Sequence, residues 1–473
     1  MAADETALSY IDHHEKKLVE IAQAIWNNPE VALQEFFAAK LVAGELEQAG
    51  FAVTRGVGQM PTAFVASWGS GEPIIGILGE YDALPGLSQT VSAAREPVKE
   101  GAPGHGCGHN LFAAGSLGAA LAVKDAMEKY HLPGTIRFYG CPAEETLIGK
   151  VFMARDGVFD DLSAALAWHP GYTISAGGIG SSLAMNSFRV NFNGVAAHAS
   201  AAPHMGKSAL DGVMLMDIGV NYLREHVEPE VRIHSSITHG GDAPNIVPPF
   251  AQIWYYVRAP RREQVEHVYA RMLDIARGAA LMSATTYDID FLSGCYELLP
   301  NIVIGDLMRQ KMEALGAPKF TGEDMAFAKQ LQKSVPPQVV EMSIAQMLQM
   351  SGRGVTRADL GETLCEKIIP AADTSVVMPA STEVAEVSQI TPTGSLGTCC
   401  QPLGAPGHSW QVVAASGSGI GFRGMLLAAK SLALTALDLM TRPETVRAAR
   451  EEFASATGGK RYVSPLPEGA TPR

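Results

Sequence analysis

In Thr135-Ile-Arg-Phe-Tyr-Gly-Cys-Pro-Ala-Glu-Glu145 a strand-like run passes directly into two adjacent carboxylates. On an extended strand end, successive side chains point to opposite faces. One of Glu144 and Glu145 can then bind an ion while the other faces a substrate. The same arrangement recurs on either side. Ile74–Leu78 runs into Gly79-Glu-Tyr-Asp82, and Ala164–Trp168 ends at His169. Between them a Pro/Gly-rich loop closes on Gly104-His-Gly-Cys-Gly-His109, and Leu111–Lys129, apolar nearly all round, reads as a buried helix. Strands alternating with helices, with polar residues at the strand ends, define an α/β sheet whose ligands bind beyond its C-terminal edge.

Five residues from four stretches are candidate metal ligands: Cys107 and His109, Glu145, His169, and His408 in Pro406-Gly-His-Ser409. Thiolate and imidazole donors with one carboxylate suit zinc or a neighbouring transition metal. Glu144, left beside them, suits a general base. Each residue also has a plainer reading: an inert buried cysteine, a capping or core histidine, solvated surface carboxylates. The ordered set outweighs these.

Composition narrows the partners. The chain has 473 residues and a formal net charge of −13, which repels phosphate backbones, so no nucleic acid is expected. The acidic N-terminus lacks the apolar core of a secretory signal. No stretch reads as membrane-spanning; Gly424–Met440, carrying Lys430 and Asp438, reads as a core helix. Six scattered cysteines without a C-x-x-C pair fit a reducing cytoplasm.

Residues 12–50 read as helical. From about 185 to 296 the rhythm changes to β-α-β-β-α-β, the split ferredoxin-like pattern. The strands are Ser187–Phe192, Val231–Thr238, Ala251–Arg258 and Thr285–Phe291, with helices at Ser208–Arg224 and Arg261–Met282. This reads as an inserted α+β domain whose outer strand is free to pair with a copy of itself. The first domain, residues 1–184, resumes over 297–473 with helices at Ile304–Leu315 and Met325–Gln332. A helical excursion is expected near 334–370, and the Pro/Gly-rich tail Ser464–Arg473 should be mobile.

Gly79-Glu-Tyr-Asp-Ala-Leu-Pro85, the Cys107/His109 motif, Glu144-Glu145, Trp168-His169 and His198 together resemble metallopeptidase family 20, the two-metal aminoacylase and carboxypeptidase family. The cysteine marks its aminoacylase-like branch. Ser381–Ser388 and Gly407-His-Ser-Trp410 resemble the B-type chains of p-aminobenzoyl-glutamate hydrolases. The resemblance implies a zinc-peptidase-like catalytic domain with a central mixed sheet, and an inserted lid and dimerisation domain. It implies two divalent ions per chain, zinc first, manganese or cobalt also open, with Cys107 placed to bridge them. Glu145 is then a ligand and Glu144 the base. Asp82 orients a ligating histidine, since Glu80 stands where other branches have a liganding histidine. His198 reaches a partner subunit's site, and Asn245 with Arg258 binds the substrate carboxylate. His105 reads as loop or support, and His204 and His239 as structural or rim residues. Glu383 and Glu386 stand where the B-type chains have aspartates. The implied activity is hydrolysis of N-acyl or N-aroyl amino acids, p-aminobenzoyl-glutamate foremost, by a homodimer or a heteromer with a homologous subunit. The alternatives are another aminoacylase, dipeptidase or auxin-conjugate hydrolase, a non-catalytic partner subunit, or a structural zinc protein.

Overall fold

The computed structural model describes residues 2–176, 180–352, 354–370 and 376–473. In chain order it begins with helices α1 (Ala2–Asn27) and α2 (Phe36–Gln48). The helical stretch expected over 12–50 resolves into two helices. Pro29 disfavours helical backbone at Asn28, and the Asn28 amide closes α1 by donating to Ala24 O at 2.8 Å. Next come β1 (Ala52–Arg55), β2 (Phe64–Ser70), β3 (Ile74–Glu80), α3 (His109–Tyr130), β4 (Gly134–Cys141), α4 (Gly149–Arg155), β5 (Ala164–Gly171) and β6 (Ser175–Ala176). There follow β7 (Ala184–Asn193), α5 (Ala209–Leu223), β8 (Arg232–His239), β9 (Phe250–Ala259), α6 (Arg262–Ser283) and β10 (Thr286–Cys295). The chain closes with α7 (Ile302–Leu315), α8 (Gly322–Lys333), α9 (Pro337–Met350), α10 (Arg357–Leu360), α11 (Val384–Ser388), β11 (Thr393–Cys399), α12 (Trp410–Ser416), α13 (Gly419–Thr441) and α14 (Pro443–Thr457).

These elements form two compact units. The first comprises Met1–Ser181, Leu299–Met378 and Glu386–Val463; the second comprises Ser182–Leu298, Pro379–Ala385 and Ser464–Arg473. In the first, among the described residues, seven strands make a mixed sheet in the order β1-β2-β4-β3-β5-β11-β6. Strands β3, β4, β5 and β11 run parallel, while β1, β2 and β6 join antiparallel. Nearly every residue of β3 is buried, as expected of a central parallel strand covered on both faces. Helix α3 packs on α1 and α13 and is buried along most of its length. Helix α13 is long and apolar enough to cross a membrane, contrary to the sequence expectation, yet most of its residues lie in the interior.

In the second unit the strands run β10-β7-β9-β8, the order that two interleaved β-α-β units produce. One face of this sheet packs Phe188, Phe192, Ile253 and Tyr255 against Val213 of α5 and Met272 of α6. Strand β8 lies at the edge with most of its residues exposed. The tail expected to be mobile belongs to this unit, where the Arg473 guanidinium bonds the Asp290 carboxylate.

Candidate metal centre

The C-terminal ends of β3, β4, β5 and β11 present their polar residues to one place. Its floor is buried. Glu80 ends β3, Asp82 follows two residues on, and His109 opens α3. Gly108 makes this opening possible: its φ is +79°, and a Cβ there would press to 3.0 Å from Pro170. Half-buried Cys107, Glu144 and Glu145 form the wall, and exposed His169 and His408 the rim.

Asp82 fixes the floor. His109 Nδ1 donates to Asp82 Oδ1 at 2.9 Å, and the Glu145 N–H donates to Asp82 Oδ2 at 2.8 Å. With Nδ1 committed to Asp82, His109 turns Nε2 toward Glu80 Oε2 at 3.4 Å and Glu144 Oε2 at 3.8 Å. His169 Nε2 lies 3.3 Å from Cys107 Sγ, while its Nδ1 donates to Pro170 O at 2.7 Å. His408 Nε2 lies 3.4 Å from Glu145 Oε2. Ligand atoms of three triads approach within 4.8 Å: Cys107–His109–His169, Cys107–Glu145–His408 and Glu80–His109–Glu144. Cys107 belongs to the first two, so its sulfur stands between two sets of donors.

These residues fit a pair of divalent cations. His109 Nε2 and Glu145 Oε1 are buried without a hydrogen-bond partner, a costly condition that a metal bond would relieve. Burial, with Glu80 close by, pushes the Glu144 carboxyl up to about 7. Burial likewise pushes Glu145 to about 8 and the Cys107 thiol to about 12. Desolvation of the ring, then nearby His109, depresses His169 to about 4, although the residue as a whole is exposed. For His109 burial acts downward too, but neighbouring Cys107 and Asp82 outweigh it and raise the ring well above its ordinary value. The crowd of Glu80, Asp82, Glu144 and Glu145 thus favours added positive charge.

The local backbone departs from the extended end expected at Glu144-Glu145. The pair sits in a 3-10 turn between Ala143 (φ 57°) and Leu147 (φ 56°), both left-handed. The two carboxylates still diverge, Glu144 toward His109 and Glu145 toward His408, but the turn does this rather than strand alternation. His408 itself has φ 55°. Left-handed backbone at residues other than glycine gathers where surrounding structure holds it for a purpose.

Three supports escaped the sequence reading as site residues. Glu35, before α2, accepts Leu33 N–H at 2.8 Å, Ala143 N–H at 2.9 Å and the Thr62 hydroxyl at 2.9 Å, pinning the turn from behind. Burial, then Asp82, raises its carboxyl to about 7. Glu80, noted only as a departure from a histidine, belongs to the floor. Buried Lys150 of α4 lies 2.7 Å from Glu80 Oε1. His105 instead ties the glycine-rich loop to α1, donating from Nε2 to Ile25 O at 3.2 Å.

In the second unit, His198 occupies an exposed loop beside Asn245. Ala199 N–H donates to Asn245 O at 3.0 Å, and His198 bridges Ile246. Asn245 and Arg258 are not brought together as a pair within one chain. Strand β9 separates them: Arg258 registers with Met185 and Arg232, at the end of the sheet away from Phe250. Eight strand positions from Phe250 to Arg258 span roughly 26 Å. Arg258 lies over the Tyr256 ring at 5.4 Å. His239 packs on Phe250, and His204 lies in a 3-10 turn. Glu383 and Glu386 are buried, and Glu386 accepts the Tyr462 hydroxyl.

Candidate ligands at the strand ends of a mixed sheet fit a hydrolase of the two-metal peptidase class. The model of Peptidase family M20/M25/M40 matches residues 76–351, and the chain belongs to this family. It is 42% identical over 468 residues to the B chain of p-aminobenzoyl-glutamate hydrolase from Escherichia coli (strain K12), covering 98% of this chain and 97% of the relative. It is 29% identical to the Xaa-Arg dipeptidase of Mus musculus, over 94% of this chain and 91% of that one. A dinuclear metal-binding M20 peptidase from Bacillus subtilis shares the fold with a TM-score of 0.53 at 18% identity, covering 90% of this chain and 99% of its own.

Proposed function

We propose that the chain hydrolyses the amide bond of N-acyl or N-aroyl amino acids, with p-aminobenzoyl-glutamate as substrate. The gathering of Cys107, His109, Glu145, His169 and His408 beside a further carboxylate, Glu144, carries this reading. The likeness to one chain of a p-aminobenzoyl-glutamate hydrolase supports the substrate. Those five residues would hold two divalent ions, zinc by donor type. Once bound, such a pair polarises an amide carbonyl and lowers the pKa of water.

Glu144 takes a proton from the attacking water and returns it to the leaving amine. Asp82 and Glu35 keep the turn beneath it in register. His198 accepts Ser200 N–H at 3.4 Å and Ala201 N–H at 3.2 Å on Nδ1. Its proton in the neutral ring is then on Nε2, ready to donate to a developing oxyanion. Arg258 suits a substrate carboxylate through its planar fork. Asn245, which precedes β9 at the end opposite Arg258, is assigned with His198 to the site of a second copy, joined through the open edge of β8. A heteromer is the second reading of assembly, favoured because the Escherichia coli relative is itself one of the subunits of its hydrolase. Six free cysteines suit a cytoplasmic setting.

The test compares wild type with Glu144→Ala for metal content and for turnover. The panel contains p-aminobenzoyl-glutamate, N-acetyl amino acids, dipeptides and an indoleacetyl-amino acid. Two ions per chain, preference for p-aminobenzoyl-glutamate, and a variant that keeps its ions but loses turnover about 100-fold or more are expected. Full turnover in Glu144→Ala would remove the mechanism; preference for another substrate would reassign the specificity.

A further inference from the structure

The helical excursion following α8 grips the loop Cys400–Ser409 on which His408 stands. Gln332, near the end of α8, donates from Nε2 to two carbonyls, Glu362 O and Leu403 O, each at 2.9 Å. It accepts the Thr363 hydroxyl at 3.3 Å, and Leu403 N–H donates to Thr363 O at 2.8 Å. One residue on, Gly404 has φ 86°, and a Cβ there would stand 2.9 Å from Val340 Cα of α9. Helix and loop meet with no room for a side chain. On the other side of the loop the Tyr172 hydroxyl bonds Ala405 O, and Cys400 N–H donates to Gly171 O at 2.8 Å. Gly171 and Tyr172 lie just beyond His169. The excursion returns to this same stretch, where Ile369 N–H donates to Ile174 O at 2.9 Å. Both rim histidines therefore stand next to segments sewn to one insert.

We infer that residues 334–352 and 354–370 form a strut that sets His408 against Glu145, with Gln332 as its positioning residue; this rests on the metal reading above. The left-handed backbone of His408 persists only while neighbouring structure over-determines it, and the grip on Leu403 and Gly404 supplies that restraint. Coupling runs both ways. An ion held through His408 steadies the strut, and a loosened strut weakens that ion.

The full chain is stripped with chelator and titrated with Zn²⁺, and amide hydrogen exchange is followed across residues 337–370. Wild type should bind two ions, with exchange in the strut slowing on loading. Gln332→Met, which loses these hydrogen bonds, should still fold but melt somewhat lower without ions, keep one wild-type site, and bind the other ion about tenfold or more weakly. Met342→Ala, at a position of α9 that is 72% exposed, should match wild type throughout. Two wild-type affinities in Gln332→Met, or strut exchange unmoved by Zn²⁺ in the wild type, overturn the inference. Should Gln332→Met fail to fold, the wild-type exchange result decides alone. Absence of Zn²⁺ binding by the wild type removes the metal reading and the strut together. Normal binding by both chains removes only the strut.

Discussion

Asp82 Oδ1 accepts the Nδ1 proton of His109 at 2.9 Å, and the same carboxylate holds Glu145 N–H through its other oxygen. One side chain thereby fixes the tautomer of a candidate ligand and the backbone of another. Both partners are donors, so both oxygens are needed. In Asp82→Asn, whichever way the amide faces, one N–H meets another donor. The variant should fold and bind Zn²⁺ about 10- to 100-fold more weakly. Calorimetric titration of the chelated protein checks this; wild-type affinity would mean that Asp82 does not orient the site.

Glu35 should make stability depend on pH. Its folded carboxyl is held at about 7, against an ordinary value of 4.5. Between those values the folded chain keeps a proton that the unfolded chain has released. Stability from this group is therefore present at low pH and lost as pH rises toward 7, by on the order of 3 kcal/mol. Glu35→Gln keeps an acceptor for Ala143 N–H and removes the titration. Urea unfolding of ion-free protein at about pH 5 and 8 should show a smaller loss with rising pH in the variant than in the wild type. Equal losses would mean that Glu35 ionises as it does in the unfolded chain.

Zinc affinity should rise with pH. In the ion-free chain burial holds Glu144 and Glu145 protonated up to about 7 and about 8. An incoming cation must displace these protons, so loading releases protons and strengthens between about pH 6 and 8. Calorimetry in buffers of different ionisation enthalpy counts them. Affinity that does not change with pH, with no proton released, would show that the two carboxyls and the Cys107 thiol are already ionised.

The candidate sheet-end site was legible because polar residues terminate apolar runs at Asp82, Glu144-Glu145 and His169. The supports were less so, for physical reasons. Glu35 in Gln34-Glu-Phe36 looks like an ordinary surface residue before a helix, and only the fold turns it inward. Lys150 did leave a signal, a lone cation in Leu147-Ile-Gly-Lys-Val-Phe-Met153. Glu80 likewise ends a buried strand. The left-handed Ala143 and Leu147 have no sequence signature, since neither residue type favours that backbone. Asn245 and Arg258 form a motif pair by resemblance, yet strand rise forces them apart. The excursion showed its helical character without its role, because its grip runs through backbone carbonyls that any residue possesses.

His198 and Glu144 belong to different compact units, and the open edge of β8 offers a route to pairing two copies. If His198 serves a partner's site, neither His198→Ala nor Glu144→Ala alone should hydrolyse p-aminobenzoyl-glutamate appreciably. A mixed dimer of the two retains one intact combination: Glu144 from one chain with His198 from the other. With equal amounts and free exchange, half the dimers are mixed, and each carries one working site of two. About one site in four should then recover. Turnover is measured after mixing and again after subunit exchange is verified with differently tagged chains. Recovery near that fraction places the histidine in trans. No recovery despite proven exchange places Glu144 and His198 in one chain's site, and the assignment of Asn245 to a partner's site falls with it.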